Sequence, residues 1–153
     1  MSNSQVFSGQ RAGQTIILSV KPKYAELIQS GAKKVEFRRV WAAQDIQSIA
    51  IYVSAPVQHI LGIAQVSKVV LAKPSTLWTY CTQHGGGLSH AELLDYFEGK
   101  NTGYAVILGD VKIFQNGIEP HKIIKNFSPP QSFRYMTSSE VKRLAIADKK
   151  ISS

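Results

Sequence analysis

Lys33, Glu36 and Arg38 place an amine, a carboxylate and a guanidinium within six consecutive residues. A carboxylate beside an ammonium can accept a proton from water while the ammonium steadies a developing oxyanion. Burial at a cleft floor would strip water from the Lys33 ammonium and lower its pKa, as a proton shuttle or nucleophile requires. The planar fork of Arg38 suits a phosphate or a base edge, and a purely structural Glu36–Arg38 pair is the ordinary alternative. The surrounding stretch, residues 15–39, carries six Lys/Arg against two Glu. Lys21 and Lys23 lie at the start of a short helical pattern, where unpaired backbone N–H groups favour an oxyanion or phosphate. A solvated lysine pair is the competing reading there. Arg39 extends the basic wall by one residue.

Other polar and aromatic groups could complete such a wall. Ser54 ends a strand pattern next to Pro56 and offers a hydroxyl at a rim, unless it only forms the turn. Tyr24, Tyr104 and Tyr135 are candidate faces for stacking an unpaired base, whereas the spacing of Trp78 assigns it to the core. Gln131, Ser132 and Arg134 belong to the segment FSPPQSFRY, which its two prolines make too stiff for a linker. Other chemistries find less support. The four histidines, His59, His84, His90 and His121, lack the spacing of zinc ligands, and no serine is paired with a base and an orienting acid. His84 sits in a glycine loop, as an acid or base or simply solvated. Cys81 is the single cysteine, which rules out an intrachain disulfide or a multi-cysteine cluster. Neither a metal nor a cofactor is expected.

The elements that must position these groups follow from periodicity. Residues 15–20 read as a buried strand, Pro22 opens a helix with Tyr24, Leu27 and Ile28 on one face, and Gly31 stops it. Residues 34–39 alternate, sending Val35 and Phe37 to a core and Lys34, Glu36 and Arg38 to a charged face. Strands are expected at 48–54 and 59–71, with a bulge at Gly62. Two helices follow, one after Pro74 with Leu77, Trp78 and Cys81 inward. The other starts at the Ser89–Glu92 capping box, flanked by Leu88 and Leu93, and stops at Gly99. Residues 83–87 between them read as a flexible loop without an apolar anchor. Residues 103–108 and 111–114 read as a hairpin through Gly109-Asp110, and residues 127–135 as an extended segment crossing the body. A last helix begins at a Thr137–Glu140 box and presents Val141, Leu144 and Ala145 to the core. Six strands with few long crossovers point to an α+β fold built on a small mixed β-barrel.

The 153 residues suit one domain, with residues 1–14 as a flexible Ser/Gln/Gly-rich tail and residues 15–153 as the folded unit. No apolar run is long enough to cross a bilayer, so no membrane partner is expected. The N-terminus lacks the apolar core of a secretory signal, so a cytoplasmic location is the default expectation. A net charge of +8 calls for a polyanionic partner, and nucleic acid is the commonest. Nothing in the pattern specifies an oligomeric state.

The string from Ser19 to Arg39, SVKPKYAELIQSGAKKVEFRR, resembles the signature of ASCH domains, a branch of the PUA-like superfamily. Tyr52-Val-Ser-Ala-Pro-Val, Gly62, Tyr96-Phe-Glu-Gly, Gly103-Tyr-Ala and Pro129-Pro-Gln-Ser-Phe-Arg-Tyr agree in order, so the likeness spans about residues 15–137. Within that family the chain is most similar to single-domain bacterial and archaeal proteins described as regulators. The resemblance implies a PUA-like barrel of about six strands, with inserted helices and a cleft that takes RNA or modified nucleosides. It also implies two activities found in the wider family, hydrolysis of acetylated cytidine and cleavage of RNA. Lys33 matches the lysine of the acetylcytidine-hydrolysing members and Arg38 the strand arginine. Glu36 stands where those members have threonine, and the loop expected to carry their acid reads His84-Gly85-Gly86-Gly87.

Two functions are therefore expected to compete. The first is binding of RNA or a modified nucleotide, with DNA as the alternative polymer, through Lys21, Lys23, Tyr24, Lys33, Arg38, Arg39, Ser54, Tyr104, Gln131, Ser132, Arg134 and Tyr135. The second is a small metal-independent hydrolase using Lys33 and Glu36.

Overall fold

The unbroken apolar run at residues 16–18 forms a strand covered on both faces. Ile16, Leu18 and Val20 of β1 (Gln14–Val20) turn into one core and Ile17 into another. The computed structural model describes residues 14–152. Gln14 already belongs to β1, and the rest of the expected tail lies outside the described residues. The chain continues through α1 (Pro22–Ser30), β2 (Val35–Arg38), β3 (Ile46–Val53), β4 (His59–Ala72), α2 (Pro74–His84) and α3 (His90–Tyr96). Then come β5 (Gly103–Ile118), a 3-10 turn at Pro120–Lys122, β6 (Phe133–Tyr135) and α4 (Ser138–Ser152).

The strands form one six-stranded sheet in the order β2-β5-β4-β3-β1-β6, parallel only between β1 and β3. It curls into a half-barrel, the α+β architecture expected from the sequence. Edge strands β2 and β6 are not ladder partners, yet Arg38 of β2 hydrogen-bonds both Ser19 of β1 and Ser132 just before β6. The seam between those edges is bridged by side chains and left open. The bulge expected near Gly62 is present as a register shift between Ile60 and Gly62. A Cβ at Gly62 would lie 2.2 Å from the Lys112 carbonyl oxygen, so the two strands can approach there only with glycine.

Three apolar clusters hold the sheet. The inner one joins Leu18, Ile49, Ile51, Val106 and Leu108 to Ala25 and Ile28 of α1. The 3-10 turn and α4 cover the outer face over Ile17, Ala50, Tyr52 and Phe114. Helices α2 and α3 pack Leu77, Cys81, Leu93 and Phe97 onto Val35, Phe37, Ala105 and Ile107.

Three local expectations are corrected. Residues 103–118 are one continuous strand rather than a hairpin, because β4 runs antiparallel beside it on both sides of Gly109-Asp110 and its register shifts absorb the irregularity. The proline segment does end in a strand, since residues 133–135 pair with Ile16–Leu18 beyond the last proline. In α4, Leu144 enters the core and Val141 packs half-buried against it as expected, but the third contact is Ala147, and Ala145 is exposed. Among the described residues no helix is long and apolar enough to cross a membrane.

Candidate functional site

The site is assembled by the turn that leaves α1. Pro22 starts α1 and Gly31 caps it in the left-handed region at φ 85°, which reverses the chain within two residues. The Lys33 N–H then donates to Leu27 O at 3.0 Å and the Lys34 N–H to His84 O at 2.8 Å. The turn is thereby stitched between the end of α1 and the glycine loop after α2. It directs Lys33 inward, where the residue is only 3% exposed. Its ammonium donates to the Gly86 carbonyl, lies 3.6 Å from Glu36 Oε1 and sits 5.2 Å from the centre of the Tyr24 ring. Loss of water on burial lowers the Lys33 pKa below the ordinary 10.5, and the neighbouring Glu36 carboxylate opposes that shift without cancelling it.

The glycine loop is packed, contrary to the expectation of a flexible segment. Gly86 is buried and its N–H donates to Cys81 O at 2.9 Å. A Cβ there would fall 2.4 Å from Cys81 Sγ and 2.8 Å from the Phe37 ring. Only glycine lets the loop press down far enough to place its carbonyl on Lys33.

Strand β2 brings the other two charges. Of the expected charged face, Lys34 is exposed, Arg38 is half-buried and Glu36 is only 7% exposed, at the bottom of a cleft walled by α1, α3 and the proline segment. Glu36 Oε2 accepts from Arg38 Nη2 at 2.7 Å, and the same guanidinium donates to Ser19 O at 2.8 Å and to Ser132 Oγ at 3.5 Å. Among the described residues, Arg38 Nε is a buried side-chain nitrogen without a hydrogen-bond partner. Two cations thus share a single carboxylate, and the floor carries a net positive charge.

Above this floor lies a cleft of about 610 Å³, within the usual range for a small-ligand site. Of the residues expected from sequence, Lys33, Glu36 and Arg38 make the floor, and Lys21, Lys23 and Tyr24 line the α1 side. Ser54 and Gln131 complete the opposite rim, and Ser132 borders it through Arg38. Ser19 Oγ donates to Pro130 O at 2.7 Å, which fixes the proline segment against β1.

Four candidates are placed elsewhere. Arg39 donates to the carbonyls of Tyr96 and Glu98 at 2.7 and 3.0 Å, so it ties down the end of α3. Arg134 is paired with Glu140 at 2.8 Å, and with Thr137 this pair secures the start of α4. The Tyr135 hydroxyl accepts from Gln44 N, and its ring packs on Phe133. Tyr104 lies on β5 opposite Arg38 and does not line the cleft. His84 stacks on Tyr80, also outside the cleft.

Sequence reasoning missed the third wall, formed by Glu92, Asp95 and Tyr96 of α3. Their i, i+3, i+4 spacing, opposite buried Leu93 and Phe97, was the available signal. The Tyr96 hydroxyl donates to Phe37 O at 3.2 Å and burial raises its pKa. Glu92 meets Lys23 at 3.7 Å, which links α1 to α3 beside the opening. Among the described residues no three His, Cys, Asp or Glu side chains gather as a metal site. The arrangement favours an anion at the floor, with tyrosine faces and carboxylates on the walls.

No protein-family model matches the chain. The ASCH domain-containing ribonuclease of Zymomonas mobilis subsp. mobilis is 33% identical over 131 residues, covering 84% of this chain and 88% of that protein. The crystal structure of ASCH from Zymomonas mobilis has a TM-score of 0.79 at 32% identity, over 86% of this chain and 94% of that one. A crystal structure of its serine-to-alanine variant has a TM-score of 0.77 at 31% identity, over 87% and 95% of the two chains.

Proposed function

The chain belongs to the ASCH-domain family, and on that footing we propose that it binds single-stranded RNA in the cleft and cleaves the strand there. The observation that carries this reading is the buried floor, where Lys33 and Arg38 share the one carboxylate of Glu36. A phosphodiester supplies the missing negative charge. The floor residues are buried, Lys33 at 3% and Glu36 at 7% exposed, and a flexible unpaired strand fits a phosphate to such a recess better than a rigid duplex does. The ribonuclease name of the Zymomonas relative supports cleavage as the consequence of binding.

In cleavage, the ribose 2′-oxygen attacks the adjacent phosphorus, its proton leaves to a base, and the bond to the 5′-oxygen breaks as that oxygen is protonated. Negative charge grows on the phosphoryl oxygens along this path, and fixed cations in a dry site stabilise it more than water does. Lys33 and Arg38 are the groups placed for that work. Both oxygens of Glu36 already face cations, so its role is to hold the two in position.

The test is a salt titration of purified protein with single-stranded RNA, duplex RNA and matched DNA, each recovered for mass analysis. Binding of single-stranded RNA should fall steeply with salt, and the recovered strand should be shorter. Salt-independent affinity or intact RNA after prolonged incubation would overturn the reading. Loss of only an acetyl group from an acetylcytidine-bearing strand would move it to amide hydrolysis.

A further inference from the structure

The ladder between β2, β5 and β4 sets Arg38 opposite Tyr104 and Tyr104 opposite Leu71. Directly opposed residues project from the same face of a sheet, so guanidinium, phenol and isobutyl group form one row. The next row on that face is Glu36, Val106 and Val69. Val106 belongs to the inner core, so both rows lie on the concave side of the half-barrel. Here β4 has run past Gln65, the last residue it pairs with β3, and its residues on that face, Val69 and Leu71, are exposed. Leu71 is 57% exposed and Val69 39%, Tyr104 is half-buried, and Val40, just past β2, is 60% exposed. An apolar shelf with one aromatic ring therefore begins where the cationic floor ends. Exposed Lys73 and Lys100 stand near the β4 and β5 ends of the same shelf.

We propose that this shelf is a second nucleotide subsite, on which the base next to the anchored phosphate stacks against Tyr104 and Leu71. The inference rests on the RNA reading of the cleft and deepens it. Its occupant is an unpaired nucleotide continuous with the one in the cleft, because the row is contiguous with Arg38 and the flanking lysines match a phosphate backbone. A protein partner would gain little from so small a patch bordered by cations. Stacking accepts any base, so the subsite extends affinity along the strand without fixing sequence.

The test compares a 2′-O-methyl hexanucleotide, which lacks the attacking hydroxyl, with a single nucleoside 3′-monophosphate. Both are titrated against the full chain carrying Tyr104→Ala, Tyr104→Phe or Leu71→Ser. Tyr104→Ala should weaken hexanucleotide binding about fivefold or more, the low end for one stacked base, and Leu71→Ser should weaken it less. Tyr104→Phe should bind normally, and the mononucleotide should bind all forms equally. Leu71 is exposed, so its variant keeps the fold and reports on the shelf even if Tyr104→Ala does not. Hexanucleotide binding unchanged in both Tyr104→Ala and Leu71→Ser, or equal losses for both probes, would overturn the shelf while leaving the cleft reading intact. Failure of the unaltered protein to bind either probe would overturn both.

Discussion

Arg38 on β2 donates to the carbonyl of Ser19 on β1 at 2.8 Å, across a seam that no strand pairing closes. The same guanidinium faces the cleft, so one side chain both clamps the half-barrel and charges its floor.

Replacing Arg38 should therefore affect affinity and stability together. Arg38→Ala is expected to weaken RNA binding at least tenfold, the scale of one lost charge-assisted hydrogen bond. It should also cost about 3 kcal/mol of stability, because a buried ion pair is broken from one side. Lys149→Ala on exposed α4 and Arg134→Ala beside Glu140 should leave affinity unchanged within twofold. Equal losses in all three variants would mean diffuse charge instead of a site. Anisotropy titrations and denaturant melts would read the two quantities separately.

The pH dependence of Lys33 has a definite sign. Folded Lys33 holds its proton less tightly than the unfolded chain does, so between its lowered pKa and 10.5 the unfolded state binds more protons. Raising the pH through that window makes this group's contribution to stability more favourable. Anion binding runs the other way, because the ammonium is lost. RNA affinity should therefore fall on the alkaline side with a midpoint below the ordinary lysine value, and Lys33→Arg should abolish that fall. An identical alkaline limb in Lys33→Arg would remove Lys33 from the binding site.

How far the sequence could be read depended on whether the signal was local. Pro22 and Gly31 bounded α1, and the boxes at Ser89–Glu92 and Thr137–Glu140 formed as expected, because cap chemistry acts over three or four residues. Gly109-Asp110 misled for the same reason: a turn-like dipeptide carries no record of β4 running alongside it. Lys33, Glu36 and Arg38 were found from spacing, but the destinations of Arg39 and Arg134 were not. A guanidinium's partner is settled by tertiary contacts, here carbonyls 57 and 59 residues away in one case and Glu140 in the other. The burial of Gly86 was hidden in the same way, since three glycines in a row read as freedom until Cys81 and Phe37 close on them.

Glu36 is the sole carboxylate in direct contact with both floor cations among the described ion pairs. Glu36→Gln should lower stability by about 3 to 5 kcal/mol, because two buried cations lose their counter-charge. It should also move the alkaline limb of RNA binding to lower pH, since the carboxylate is the largest influence opposing the desolvation of Lys33. An unchanged midpoint in a folded Glu36→Gln protein would show that Glu36 and Lys33 are not coupled.

Gly86 links the packing of α2 to the chemistry of Lys33, and a double substitution can separate the two. Gly86→Ala forces a methyl toward Cys81 Sγ and the Phe37 ring, overpacking that costs about 1 to 3 kcal/mol. The loop must lift to relieve the clash, which carries the Gly86 carbonyl away from the Lys33 ammonium. RNA affinity should fall even though Gly86 itself presents no side chain to the cleft. Cys81→Ala removes the closest clashing atom, so the Gly86→Ala/Cys81→Ala protein should be more stable than the sum of the single changes implies. It should also regain part of the lost affinity, because the carbonyl can settle back onto Lys33. Additive stabilities with no recovery of binding would show that the loop positions Lys33 by some route other than this contact.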